Sequence, residues 1–318
     1  MLMNTEILFN FSLMMGVIIA MSSNNWIMIW LGLELSMMCF MPIMSNKNKL
    51  NSESCIKYFI VQSLGSSIMM MGVIMMSIDT YNTILIMAIL LKLGVSPFHT
   101  WVISIIEGMS YYPIFIMFTL IKLAPINMLS YMSMNLNLFV IFSSMVGSLS
   151  GLNQNSIKKI LSYSSIFNMS FILASICIME IWLTFILMYS MSLMLLMYLI
   201  EKLNLNFINQ IMINNYSIPA KMCCWFTLLS MGGFPPLMGF FGKMLVIKFL
   251  ININEFLTSS IIIMTSLIVM FFYTRMAMMS IIMFFNLPKW LLSNKTNFNS
   301  FLVMTSLTLP LIVFNLKS

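Results

Sequence analysis

Residues 84–101 read ILIMAILLKLGVSPFHTW, and after a short polar interval residues 111–129 read YYPIFIMFTLIKLAPINML. Two lysines, Lys92 and Lys122, stand inside runs that are otherwise almost wholly apolar. Pro97 breaks the first run five residues after its lysine. A lysine at the middle of a bilayer costs about 2.5–3.5 kcal/mol on insertion scales. A chain that carries two of them, one beside a helix breaker, is expected to move an ion or a proton.

Composition sets the class. The chain is 61% hydrophobic and 7% charged, with a mean hydropathy of +1.00, whereas a soluble domain carries about 25% charged residues. Core burial does not explain such a balance, but a polytopic helical membrane protein does. A transmembrane barrel would alternate over segments of about ten residues, and these runs are near-continuous. The N-terminus, MLMNTEILFNFSLMM, has neither a basic n-region nor an Arg-rich presequence, and reads as the start of the first span. Methionine is abundant (40 of 318), and Arg275 is the one arginine among 15 basic residues. That usage fits an AT-rich animal mitochondrial genome in which AUA is read as Met.

Several chemistries are disfavoured. The five cysteines (Cys39, Cys55, Cys177, Cys223 and Cys224) form no CxxC and read as small buried hydrophobes, and His99 is the one histidine. No ligand set for haem, zinc or an iron–sulfur cluster is visible. There is neither a dinucleotide-binding glycine fingerprint nor a P-loop, and nothing suggests a nucleic-acid partner. If the chain belongs to a redox machine, the electrons travel elsewhere.

A span needs about 20 apolar residues. Eleven are expected, at 6–22, 25–44, 56–77, 83–102, 113–132, 137–152, 158–178, 181–201, 222–250, 257–280 and 300–316, with the fourth broken at Pro97 and the ninth at Gly232–Gly233 and Pro235–Pro236. Loop charge supports the count. Even-numbered connections and their edges carry Lys47, Lys49, Lys57, Lys158, Lys159, Lys202, Lys221, Lys289 and Lys295, with Arg275 close by. The odd ones carry Asp79, Glu180 and Glu255, with Lys248 as their nearby base. The positive-inside rule then puts the even side and the N-terminus in the matrix or cytoplasm, and the C-terminus opposite. The two breaks lie five spans apart. An odd offset reverses orientation, as inverted repeats do. A single membrane domain is expected, with one half at about 1–132, the other at about 137–280, and a C-terminal helix at about 300–316.

Four charges are left inside. Glu34 lies about ten residues, or about 15 Å, from Asn25 and so near the midplane. Lys92, Lys122 and Lys243 have similar depth. The bland reading is structural ion pairs or snorkelling lysines, but snorkelling works near helix ends. At the breaks, backbone groups lack helical partners and need protein or water to satisfy them. Burial works against a lysine's charged form and a nearby carboxylate works for it, so such a site can hold and release a proton. Close helix packing or a plain kink is the other reading of the Gly/Pro clusters. His99, next to Pro97, is either a proton relay or a structural histidine. Glu53 and Lys57 have i,i+4 spacing and read as local stabilisation.

The stretches WLGLELSMMCFMPIM (30–44), IKYFIVQSLGSS (56–67), LLKLGVSPFHTWV (90–102), GLNQNSIKKILSYSSI (151–166) and LLSMGGFPPLMGFFGKMLVIK (228–248) occur in this order along nearly the whole chain. Together they resemble the NADH–ubiquinone oxidoreductase chain 2 family of respiratory complex I, in an arthropod-like form. The resemblance implies an all-α, antiporter-like inverted repeat of about eleven transmembrane helices, two of them broken, in the mitochondrial inner membrane. It implies Glu34 paired with Lys92 on the first broken helix, Lys122 as the connecting lysine, and Lys243 on the second broken helix. Lys159 falls in the family's basic stretch without a proton role. It further implies that NADH, FMN, iron–sulfur clusters and ubiquinone are held by other subunits. The implied partners are those subunits and membrane lipids such as cardiolipin. One stretch departs from the family pattern: YSSIFNMSF (163–171) has Asn168 and Ser170 where a histidine and a glycine usually stand. A proton-translocating membrane-arm subunit is the leading reading. A free-standing cation/proton antiporter and a structural spacer are the rivals.

Overall fold

Hydrocarbon offers the backbone no water, so each N–H and C=O must be satisfied within the protein, and a helix does this locally. The computed structural model describes residues 2–45, 49–78, 83–132, 135–213, 218–235 and 237–282. Among them the regular elements are helices, and a single isolated antiparallel bridge joins Ser156 to Phe207. Two compact units result, Met1–Phe139 and Val140–Ser318.

The first unit holds α1 (Leu2–Ser22), α2 (Trp26–Met44), α3 (Lys49–Ile78), α4 (Thr83–Leu93), α5 (Thr100–Ile106), α6 (Tyr111–Phe118) and α7 (Leu120–Ser130). Within it α1 packs on α2 and α7, and α3 packs on α2, α4 and α5. Small residues let these backbones meet, as membrane helices require. A Cβ on Gly32 would come within 2.7 Å of the Ala20 nitrogen and the Gly16 carbonyl, so α1 and α2 cross at glycines. Gly72 of α3 lies as closely on the backbone of Leu85 in α4.

The second unit takes in most of α8 (Asn137–Leu152), then α9 (Ile157–Ala174), α10 (Met179–Lys202), α11 (Ile208–Ile213), α12 (Ile218–Gly232), α13 (Met238–Asn252) and α14 (Phe256–Ile282). Here α10, α12, α13 and α14 pack around one another, and α9 touches α10, α13 and α14. Helix α9 is rich in serine for an apolar helix. Its buried Ser162, Ser164, Ser165 and Ser170 hydroxyls each donate to the carbonyl three residues back, which satisfies them without an outside partner. Arg275 of α14 donates to the Leu152 carbonyl at the end of α8, 3.4 Å away, the helix pole that favours a cation.

Among the described residues six helical stretches are long and apolar enough to cross a membrane: Thr5–Ser22, Trp26–Met44, Lys49–Met76, Tyr111–Ser130 (α6 with α7), Met179–Lys202 and Phe256–Met279. Two expected spans are divided at their breaks. The fourth is divided into α4 and α5 and the ninth into α12 and α13, as the Gly and Pro signals indicate. The fifth holds a feature that sequence reading missed. At Thr119 (φ −116, ψ −79) the helix is disturbed between α6 and α7, three residues before Lys122. Pro125 then leaves the Ile121 carbonyl without its i+4 donor. The polar stretch after α10 contains the short helix α11. The expected eleventh span and the loop residues Lys47, Asp79, Lys289 and Lys295 lie outside the described residues.

Both divided helices end in the same way. Gly94 (φ +68) and Gly233 (φ +84) are left-handed. At the first break Gly94 N–H donates to Leu91 and Val95 N–H to Leu90, at 3.1 and 3.2 Å. At the second, Gly233 N–H donates to Ser230 and Phe234 N–H to Leu229, at 3.2 and 3.1 Å. This is the Schellman pattern, which satisfies two of the exposed carbonyls and suits glycine because it has no Cβ. A proline follows each, and the chain turns away instead of continuing the helix.

Two substitutions test this geometry. Gly32→Ala is expected to force α1 and α2 apart and cost about 1–3 kcal/mol. Gly233→Ala is expected to cost about 1–2 kcal/mol from backbone strain alone. Gly151→Ala meets first the edge of the Phe272 ring at 3.2 Å, and should stay near wild type in thermal unfolding of the detergent-solubilised protein.

Candidate functional site

In the first unit the break in α4 sets the position of Lys92. The lysine sits in the last turn of α4 and is 7% exposed. Its stem runs over Gly65 of α3, where a Cβ would come within 2.9 Å of the Lys92 Cγ. Its ammonium lies 3.7 Å from Glu34 Oε1 of α2. That is longer than a direct charge-assisted hydrogen bond, about 2.7–2.9 Å, so the pair is a close electrostatic contact with some freedom left. A small cavity close to the size of one water adjoins the lysine, lined among others by Ser36, Tyr58, Gln62, Ile121 and Pro125. It therefore reaches from Lys92 to α7, the helix that carries Lys122.

The break itself is held from outside α4. The Lys92 carbonyl accepts a hydrogen bond from Gln62 Nε2 at 3.2 Å, and the Leu91 carbonyl accepts one from Trp101 Nε1 at 3.1 Å. Sequence reading missed both donors. The signal for Gln62 was present, since it is the one amide inside the apolar run of IKYFIVQSLGSS. His99 is half-buried in the turn between α4 and α5, and its Nδ1 donates to the Pro97 carbonyl at 3.1 Å. A carbonyl can only accept, so Nδ1 carries the proton.

Lys122 is 8% exposed in α7. Its ammonium stands over the Phe118 ring, 5.1 Å from the centroid. In the second unit Lys243 of α13 is 7% exposed and turns back to the break in its own span. Its ammonium donates to the Gly232 carbonyl at the end of α12, at 2.7 Å, and lies 5.6 Å from the centroid of the Phe167 ring. A Cβ on Gly233 would come within 2.7 Å of that ammonium, so the glycine makes room for it as well as forming the turn. A cavity with room for a water adjoins Lys243, lined among others by Asn168, Tyr189, Ser192 and Ser230.

Of the five residues singled out from sequence, Glu34 and Lys92 are thus brought together. Lys122 is buried on α7 in the same unit, and His99 lies on the turn at the first break. Lys243 belongs to the other unit and its own break. Among the described residues no carboxylate lies within ion-pair distance of Lys122 or Lys243. The expected local pair is present, with Lys57 and Glu53 2.6 Å apart and largely exposed. Among the described residues no cluster of three or more His, Cys, Asp or Glu could hold a metal ion.

Comparison with known proteins agrees with this architecture. Residues 23–83 and 78–270 match the family described as NADH:quinone oxidoreductase/Mrp antiporter, transmembrane. The chain is 35% identical to NADH-ubiquinone oxidoreductase chain 2 of Anopheles gambiae, over 98% of its own length and 94% of that protein. With the protein of the same name from Locusta migratoria it shares 34% identity, over 92% and 90% of the two chains. In fold it is similar to a chain of respiratory complex I from Thermus thermophilus with bound aureothin. The TM-score is 0.81 at 18% identity, covering 97% of this chain and 77% of that one. An apolar, all-helical chain with interrupted helices and buried lysines, alike in sequence to these relatives over nearly its full length, belongs to the NADH-ubiquinone oxidoreductase chain 2 family.

Proposed function

We infer that this chain is a membrane-arm subunit of NADH:ubiquinone oxidoreductase, respiratory complex I, in the mitochondrial inner membrane. Its work is proton translocation coupled to electron transfer from NADH to ubiquinone in other subunits. The relatives' shared identity supports this reading. One structural observation carries the chemical part: Lys92, Lys122 and Lys243 are all buried, each near an interruption in its helix.

The energetic argument is direct. Each lysine costs about 2.5–3.5 kcal/mol at the bilayer centre. Three of them cost on the order of 8–10 kcal/mol, as much as the net stability of a typical domain, about 5–15 kcal/mol. Hydrophobic replacements would remove that cost. Residues kept at such expense are used. A buried ammonium holds a proton that a change in nearby charge or hydration can release. Glu34 provides such control for Lys92. Lys122 is the next carrier in the first unit. Lys243 is the carrier of the second, held on the Gly232 carbonyl when charged. His99, with Nδ1 committed to Pro97, relays through Nε2. The two units act as the two halves of one antiporter-like domain, with the N-terminus on the matrix side.

NADH, FMN, the iron–sulfur clusters and ubiquinone are assigned to the other subunits of the complex, and this chain's contacts are with those subunits and with lipids such as cardiolipin. A free-standing antiporter would exchange ions when this chain alone is placed in liposomes, and no exchange is expected.

In the assembled complex Lys122→Ala should lower protons pumped and NADH oxidised several-fold together, as proton-motive ADP phosphorylation and NADH absorbance would report. Normal values for both would sink the assignment. Lys243→Met separates pumping from a spacer role. Pumping predicts a lower ratio of protons to electrons or slower turnover in fully assembled complex. A spacer predicts less assembled complex with the ratio intact.

A further inference from the structure

At each break a polar side chain meets a carbonyl that the turn leaves uncovered. In both breaks the Schellman hydrogen bonds cover the carbonyls two and three residues before the last helical residue: Leu91 and Leu90 in α4, Ser230 and Leu229 in α12. The carbonyls after these are not covered by that motif. In α12 the Gly232 carbonyl takes the Lys243 ammonium itself. In α4 the Lys92 carbonyl takes a neutral donor, Gln62 Nε2. A helix C-terminus is a negative pole that attracts a cation. The two positions are not equivalent, since Gly232 is the last residue of α12 and Lys92 is one short of the end of α4, and the Lys92 ammonium lies 3.7 Å from Glu34.

We propose that Gln62 is a positioning residue for proton transfer at Lys92: by holding the lysine's own main-chain carbonyl at the broken end of α4, it fixes the backbone from which the ammonium reaches Glu34. The placement fits the role. Gln62 is 5% exposed, on the same face of α3 as Gly65, over which the Lys92 stem passes less than one turn further on. Gln62 also lines the cavity beside Lys92. Its amide fixes the main chain of the lysine and Gly65 makes room for the side chain, so one face of α3 forms the cradle. Trp101 Nε1, on the Leu91 carbonyl, steadies the preceding residue of the same end. A buried carbonyl deprived of its donor is costly, so without the amide the end of α4, and the lysine carried on it, would shift.

This inference rests on the reading of Lys92 and Glu34 as a proton-transfer pair, and the test separates the two. Four complexes are compared for turnover and for protons pumped per NADH: Gln62→Leu, Gln62→His, Glu34→Gln, and Gln62→Leu combined with Glu34→Gln. Leucine keeps the volume and removes the donor, whereas histidine restores one. Gln62→Leu is expected to lower pumping-coupled turnover at least threefold per assembled complex, and Gln62→His to return it to within twofold of wild type. In the Glu34→Gln background Gln62→Leu should add little, because both changes act on one pair. If Gln62→Leu fails to assemble, Gln62→Asn, which keeps the amide but shortens its reach, takes its place with the same expectations. Wild-type turnover in assembled Gln62→Leu beside an impaired Glu34→Gln would overturn the positioning role and leave the pair standing. A multiplicative loss in the double variant would do the same. Normal pumping in Glu34→Gln would instead remove the pair on which the inference rests.

Discussion

An unpaired peptide carbonyl in hydrocarbon costs several kcal/mol, and an interrupted helix exposes up to four of them at once. That cost constrains everything around the two breaks. The left-handed glycines, Gly94 and Gly233, remove half the problem by folding the chain so that its next two amides turn back. The rest must come from side chains on other elements. Gln62 takes the Lys92 carbonyl at the first break, where Trp101 adds a second donor to the Leu91 carbonyl, and Lys243 takes the Gly232 carbonyl at the second. The glycines at helix crossings follow from the same need, since donors of such short reach work only where backbones come close.

The two lysines are held by different forces. Lys92 faces a carboxylate across 3.7 Å, so its charge responds to whatever alters Glu34. Lys243 makes a 2.7 Å bond to a carbonyl, which cannot change its own charge, and a cation–π contact with Phe167. A change in its protonation must be driven through the cavity that adjoins it, by water or by an approaching charge. Lys122 is simpler still, with an aromatic face as its contact among the described residues. Such a contact is worth about 2 kcal/mol or more when desolvated. It offsets part of the burial cost of one ammonium.

Much of this was legible in the residues. An isolated charge in a long apolar run is conspicuous, and so are Pro97 and the Gly-Gly-Phe-Pro-Pro interval. The course of α4–α5 and α12–α13 follows from them. The disturbance at Thr119 was not legible. Threonine there is ordinary in sequence, and what marks it is the backbone, with ψ near −79 and the hydroxyl bonded to the Phe115 carbonyl at 2.8 Å. Pro125 was visible too, and its missing N–H by itself leaves the carbonyl four residues back, that of Ile121, without a helical donor. The role of Gln62 was hidden for a different reason. Its partner, Lys92, is thirty residues away, and only tertiary packing places the amide on that carbonyl. Pairing Lys92 with Glu34 came from family likeness, since sequence spacing alone does not choose between the lysines.

Asn168 shows how a local departure acquires meaning from its surroundings. In sequence it is one residue that differs from a family pattern. In the fold it lines the cavity beside Lys243, together with the hydroxyl-bearing Tyr189, Ser192 and Ser230. An imidazole at that place could take up a proton, whereas an amide can only orient a water. The neighbouring groups are hydroxyls and amides that do not ionise near neutral pH, so they too can only pass a proton along through water. Among the residues that line this cavity, Lys243 is the one that carries a charge. In the first unit Lys122 is buried on α7, and Lys92 has a charged neighbour. There a carboxylate and an ammonium face each other across 3.7 Å, a gap short enough for strong coupling and long enough to change.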